Sequence, residues 1–325
     1  MDIIIADADG YELGYLTDIQ QFDLDTTNSY DFEIQMDLTA FAASGYTYGY
    51  RVYCPETEFG GTISDIEIVS SESMAYIRGD TWRGMLRKKI ICPPDGEDYM
   101  IETGEAHAIM RDLVGTAFGD LIAVDSSTSA YTVNKYQFNR YCTMEEGFAA
   151  MLESVGAKLV ITYDQDAGQA ILSAAAIETH GEEYTDDQIH LTVRDYRRGI
   201  NHLICLGQGD LAERERIDLY VDADGNISTA QYYTGLDERV EVYDYSSAES
   251  TEELQTGGEK KLQELMDYTT ASLDVENVTD LLVGDYVSAT ETITAMTISE
   301  EVTGLTLKIT NGDPTITYKL GDDNA

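Results

Sequence analysis

The chain has 325 residues, with 61 Asp and Glu against 20 Lys and Arg, and a formal net charge of −41 at pH 7. That balance opposes direct binding to phosphates or to an anionic membrane, because the summed field acts beyond single contacts. Hydrophobic residues make up 43% and aromatics 10%, enough for a packed core, so a disordered chain is excluded despite the charge.

The length allows two or three domains of ordinary size. The acidity fits high-salt adaptation, a cation-rich partner, or a surface that repels a polyanion, and composition does not choose among them. Tyrosine dominates the aromatics, 23 against 7 Phe and 1 Trp. Its ring packs while its hydroxyl stays wet, which suits half-buried strands and interfaces. The four cysteines, Cys54, Cys92, Cys142 and Cys205, form no Cys-x-x-Cys pair. They read as buried thiols of a protein assembled in a reducing cytoplasm, with a secreted disulfide protein as the weaker reading. No basic region precedes Ile3–Ile5, so no secretory signal is expected, and no apolar run is long enough to span a bilayer.

The first ninety residues read as β. Ile3–Ile5 makes a short strand, Asp9-Gly10 a turn, and Tyr11, Leu13 and Tyr15 alternate on the way out. Tyr30, Phe32, Ile34 and Met36 form one face of a second strand, with Asp31, Glu33 and Gln35 on the other. Arg51–Cys54, Thr62–Ile68 and Met74–Asp80 follow, with a Gly60-Gly61 turn before the second. Short strands with glycine turns predict a small barrel or sandwich. Next comes a basic island: Arg78, Arg83, Arg87, Lys88 and Lys89 are five of the 20 bases, and Trp82 is the only tryptophan. Two readings stand, an internal or intersubunit clamp facing carboxylates or a solvated basic face.

After Pro93-Pro94-Asp95-Gly96 the period changes. Ile109, Met110, Leu113, Val114 and Ala117 mark a helix face. Thr143 and Glu146 have capping-box spacing for a second helix carrying Phe148, Met151, Leu152 and Val155. Lys158–Tyr163 and Gln169–Ala175 read as a hairpin. Strands return over 189–193, 202–206, 217–221 and 239–243. One helix interrupts them over Glu252–Met266, with Ser246 and Glu249 as its expected cap and Gly257-Gly258 as an expected weak point. Leu305, Leu307 and Ile309, then Ile316, Tyr318 and Leu320, alternate with polar residues around an Asn311–Pro314 turn. The expected division is a first barrel over 1–92, an α+β domain over 93–185, and a second barrel over 186–325 with a helical insertion at about 246–270.

Candidate chemistry is sparse. Asp222-Ala223-Asp224-Gly225-Asn226 begins like a calcium loop but lacks the closing Glu, and between two strands Asp-Gly is the usual hairpin turn. Asp7-Ala8-Asp9-Gly10 reads the same way. His107, His180, His190 and His202 show no zinc spacing and read as ordinary hydrogen-bonded histidines. Cys142 beside a helix N-cap could have a lowered pKa, but nothing in the sequence pairs it with a histidine. Gly207-Gln208-Gly209-Asp210 lacks the third glycine and the helix of a dinucleotide site. No catalytic, cofactor-binding or metal-ligating residue is assigned, and no cofactor is expected.

Four blocks run in order along the chain: Gly79-Asp80-Thr81-Trp82-Arg83-Gly84-Met85-Leu86 through Pro93-Pro94; Gly207–Asp210 with Arg214; Asp244–Glu249; and Leu282-Val283-Gly284-Asp285-Tyr286-Val287, continuing through Glu301–Gly304 and Ile309–Gly312 to Ile316–Gly321. Together they resemble the hub or tail-associated proteins of siphophages and prophages of Gram-positive bacteria. These in turn are related to myophage baseplate hubs and type VI secretion spike proteins.

The resemblance implies a mainly β fold with α+β parts: two small β-barrels side by side, an α/β domain and an inserted helix. Three copies would then offer six barrels to a hexameric tail tube. It further implies a non-enzymatic, trimeric adaptor at the distal end of the tube, located in the virion tail tip and assembled in the bacterial cytoplasm. Its partners would be the distal tail protein, the tape-measure protein and tip or fibre proteins. DNA would pass through the lumen without specific binding, and no membrane insertion is implied. The sequence stops at Ala325 after the last strand, so no fused lytic domain is expected. The alternatives are a tail-associated cell-wall hydrolase and an acidic calcium-binding surface module.

Overall fold

The computed structural model describes all residues except 182–187, 197, 276–277, 279, 291–296, 311 and 322–325. Part of the Asn311–Pro314 turn therefore lies outside the described residues. The chain is mainly β, with a curled half-barrel sheet, further small sheets and a few helices. Its contacts divide it into two units, Met1–His190 with Leu273–Ala325, and Leu191–Ser272.

The larger unit is built on an eleven-stranded sheet. Its order runs Thr179–His180, Tyr286–Thr290, Thr297–Thr310, Ile19–Asp25, Asp31–Asp37, Met74–Thr81, Gly60–Val69, Arg51–Tyr53, Ile4–Ala6, Glu12–Tyr15, and Asp313–Leu320 pairs with Thr297–Thr310. Alternation in the sequence sets the faces. Phe22, Leu24, Phe32, Ile34, Met36, Ala75, Ile77, Leu305, Leu307 and Ile309 all point into one core. In register, Ile309, Phe22, Ile34, Ile77 and Ile66 form one row across five strands. Each fully buried side chain of this kind stabilises by roughly 1.5–3 kcal/mol relative to exposure.

That row relocates the tail of the chain. Residues 186–325 were expected to form a second barrel around the helical insertion, but Thr306–Thr310 hydrogen-bonds antiparallel to Gln21–Asp25 of the N-terminal sheet. Leu305, Leu307 and Ile309 bury against Phe22 and Leu24 there. Period-two alternation shows that a strand has an apolar face, not which sheet receives it.

A second core in this unit gathers three helices and a small sheet. Helix α1, Leu38–Ser44, capped by Asp37 and closed by Gly45, instead packs Ala40 and Phe41 on the first core. Helix α2, Trp82–Arg87, is capped by Thr81, whose hydroxyl accepts from the Gly84 N–H. Neither was expected, being short and without a clear helical stripe. Helix α3, Ala106–Val114, follows Glu105 as N-cap, and helix α4, Met144–Glu153, starts on the capping box of Thr143 and Glu146. The expected hairpin is present as Ala157–Asp164 with Gln169–Ala176, and Ile122–Val124 adds a parallel strand. Helices α2, α3 and α4 bury Trp82, Leu86, Ile109, Met110, Phe148 and Met151 in the core that this hairpin floors.

The smaller unit is a four-stranded sheet, ordered Ile227–Ser228, Arg216–Val221, His202–Leu206, Val240–Asp244. Helix α5, Thr251–Leu265, lays Leu254 and Leu262 over Leu203, Cys205 and Leu219. Its cap is Ser250, which accepts from the Glu253 N–H, and not Ser246 as expected. The Glu253 carboxylate accepts from the Glu249 N–H, one residue before the cap, so the helix is capped four residues later than expected. Gly257 and Gly258 do not break the helix. A Cβ at Gly258 would collide with the Cys205 sulfur and come 2.9 Å from Leu219, so the glycine lets the helix approach the sheet. Among the described residues no helix is long and apolar enough to cross a membrane.

Candidate functional site

The basic island is bonded to carboxylates from several elements of the larger unit. Thr81 ends a strand and caps α2, which turns Trp82 and Arg83 inward. The Trp82 indole is fully buried and stacks on Tyr163 at 5.3 Å, and Tyr163 stacks on Tyr53 at 3.9 Å. Arg83 is 3% exposed. Its Nη2 donates to Glu58 Oε2 at 2.8 Å and to the Leu159 carbonyl at 3.2 Å, and its Nη1 donates to Glu145 at 3.5 Å. Burial works against the charged guanidinium, but Glu58, Glu145 and Tyr30 together outweigh it and raise the Arg83 pKa. Arg87 bonds Glu145 at 3.0 Å and Glu146 at 3.1 Å, and lies 4.4 Å over the Tyr30 ring.

The island therefore divides. Trp82 and Arg83, with Arg87 at their margin, form a clamp that ties the N-terminal strands to α4 and the hairpin strand Ala157–Asp164. Lys88, bonded to Asp80 at 2.6 Å, is 66% exposed and belongs to the solvated face. Arg78 spans Glu33 at 2.5 Å, Asp65 at 3.1 Å and Glu67 at 2.9 Å across three strands.

A second buried joint lies close by. Lys158 on the hairpin bonds Asp285, with both side chains under 5% exposed. Asp285 also accepts from the Glu178 and Leu282 N–H groups, at 2.8 and 3.2 Å. Gly284 adopts φ +93°, and a Cβ there would stand 2.7 Å from the Lys158 Cβ, so Gly284-Asp285 needs both the open backbone and the carboxylate. Between the two joints runs an open groove of about 320 Å³, lined by Arg83, Glu145, Glu153, Lys158, Tyr286 and Glu301 among others. Its two buried cations are each matched by a carboxylate. The arrangement holds elements together and offers no nucleophile with an adjacent base.

The remaining candidates resolve into structure. Asp222 Oδ1 accepts from the Asp224 and Asn226 N–H groups, both at 2.9 Å, and Asp7 Oδ1 does the same for Asp9 and Tyr11. Both loops are Asx-type turns. His107 bonds the Ser127 carbonyl through Nδ1 at 3.0 Å and accepts from the Ala174 N–H through Nε2 at 2.8 Å. His202 sits between Glu238 at 2.7 Å and Asp218 at 2.8 Å, stacked on Tyr220. His180 lies 3.7 Å from Asp285, and His190 is exposed.

All four cysteines are free. Cys54 and Cys205 are buried as expected, with burial pushing the Cys205 thiol up to about 11. Cys92 is exposed and Cys142 half-buried. Burial raises the Cys142 pKa, the reverse of the lowering expected beside a helix N-cap. Among the described residues no group of three or more His, Cys, Asp or Glu could hold a metal ion.

Sequence reasoning did not find Glu58, Glu145 or Asp285 as clamp partners. In a chain with 61 acids a single carboxylate carries no signal. The only available pointer was the Gly-Asp pair at 284–285.

No known family profile matches the chain, and no curated protein matches it. Its structural neighbours are prophage tail proteins, a phage baseplate and a type VI secretion protein. The chain is similar to the prophage tail protein gp18 from Listeria monocytogenes EGD-e, with a TM-score of 0.48 and 14% identity over 100% of this chain and 96% of that one. It is similar to the 43 kDa tail protein of prophage MuSo2 from Shewanella oneidensis, with a TM-score of 0.47 and 13% identity over 98% of each chain. Against a topological model of the p2 virion baseplate in its activated conformation the TM-score is 0.49, at 12% identity over 100% of each chain.

Proposed function

We propose that this protein is a structural, non-enzymatic part of a phage-type tail: a hub that closes the distal end of the tail tube and links it to the tip or fibres. The observation that carries this reading is where the motif residues go. Trp82, Arg83, Gly284 and Asp285 belong to the blocks that resemble tail hub proteins, and all are used up in buried joints between elements. Residues that mark the family and serve only to brace a β scaffold suit a load-carrying assembly part.

A chain offering two β bodies to a six-fold tube end requires three copies, and closed cyclic symmetry is the usual solution. The proposed partners are therefore two further copies, the distal tail protein, the tape-measure protein and the tip or fibre proteins, within the virion. Carboxylates on the inward face of such a ring would repel passing DNA and offer no counterion release. The test is reconstruction of assembled tails. Three copies in one ring, with Asp and Glu outnumbering Lys and Arg at the axis, are expected. Six copies in one ring would count against the two-body assignment, a lumen lined by Lys and Arg would end the repulsion idea, and clearing of cell walls by the purified protein would contradict the non-enzymatic reading.

A further inference from the structure

The eleven-stranded sheet ends on one side at Glu12–Tyr15, which pairs with Ile4–Ala6; no described strand pairs with its other edge. An unpaired edge presents backbone N–H and C=O groups that template another strand, and proteins usually blunt it with Lys or Pro. This edge has neither; it is four residues long, with a shift of register opposite Ile5 and Ala6. Instead Tyr11, Leu13 and Tyr15 stand at alternate positions, exposed by 74, 49 and 63%. Each could have been polar at no cost to the core, since the buried residues of this hairpin are Ile3, Ile4, Ile5, Ala6 and Leu16.

The strip is framed by charge of one sign. Asp2, Asp9, Glu12 and Asp18 are all exposed, and residues 1–50 contain no Lys, Arg or His. The nearest basic side chain in sequence, Arg51, is buried and bonded to the Ala8 and Gly168 carbonyls. A second copy of this edge would bring the same carboxylates and be repelled. An extended segment that alternates apolar residues with Lys or Arg would satisfy the backbone edge, cover the Tyr-Leu-Tyr strip and neutralise the frame.

We propose that the Glu12–Tyr15 edge, with the Tyr11 ring beside it, is a docking site for a cationic β-strand of another polypeptide, which adds to the sheet. The tail reading is not needed for this inference.

The probe is a fluorescein-labelled eight-residue peptide alternating Lys and Val, with a Glu/Val peptide as control. Anisotropy is read at 50 and 300 mM NaCl, with hydrogen exchange followed on the full chain. Expected are binding of the Lys/Val peptide that weakens with salt, no binding of the Glu/Val peptide, and new amide protection confined to residues 12–15. The Leu13→Ser/Tyr15→Ser variant keeps the net charge and should bind at least tenfold more weakly. Tyr11→Ser alone should lose affinity in the same direction if the double variant does not fold. Absence of binding, affinity unchanged in the Ser variants, or protection elsewhere would overturn the proposal, as would self-association of the chain that these variants abolish.

Discussion

Arg83 and Glu58 meet at 2.8 Å with side chains 3% and 6% exposed, so each depends on the other for compensation. Arg83→Met should cost roughly 3–5 kcal/mol by stranding the Glu58 charge, whereas pairing it with Glu58→Leu should recover most of the loss. Urea midpoints at unchanged m-value measure both. Trp82→Ala should cost about 3–5 kcal/mol, because the stack on Tyr163 leaves a void that the strands cannot close. An unchanged midpoint would refute the clamp.

Glu105 supplies a pH signature at the same scale. Burial opposes its ionisation, but Ser129 and the backbone N–H groups of His107, Ser129 and Ala108 outweigh it and hold the carboxyl at about 2, from an ordinary 4.5. The folded carboxyl keeps its charge where the unfolded one has bound a proton. Its contribution is therefore present above about pH 4.5 and lost as pH falls towards about 2. Glu105→Gln should flatten that part of the stability–pH curve while lowering stability at pH 7.

Helix α5 shows how an element can be read correctly in kind and wrongly in its reasons. Glu, Lys, Leu and Gln announced the helix, but Gly257-Gly258 signified contact and not weakness. Gly258→Ala gains about 0.5–1 kcal/mol of helix propensity and meets an overpacking cost of about 1–3 kcal/mol against Cys205 and Leu219, so a net loss is expected. Adding Cys205→Ala should make the double variant less destabilised than the sum of the singles, a coupling that urea titration resolves. The box at Thr143 and Glu146 was legible because its two residues and the apolar face after them agree. At Ser246 and Glu249 the spacing recurred by chance in an acidic stretch, and the cap forms at Ser250.

At the scale of the molecule, the smaller unit leaves and rejoins the chain through Ile189–Tyr196 and Tyr268–Val275, which pair with each other. Joining His190 to Leu273 by a short Gly/Ser linker should leave a cooperatively melting larger unit with its β circular-dichroism spectrum intact, as expected where an inserted unit has its own core. Loss of the cooperative transition would show that the larger unit depends on the insert.

The β class, the hairpins at Asp9-Gly10 and Asp222–Asn226, the faces of the strands and the acid excess were all determined by the sequence itself. Each rests on neighbours a few residues apart: alternation, turn chemistry and net charge. What the tertiary structure alone decided is who meets whom. Thr306–Thr310 joined Gln21–Asp25, some 280 positions away, because both strands carry apolar faces of matching register. Arg83 found Glu58, and Lys158 found Asp285, among 61 carboxylates that look alike in one dimension. Local pattern sets a side chain's direction, whereas a buried charge is tolerated only where the fold brings its counterion, and that choice is made in three dimensions.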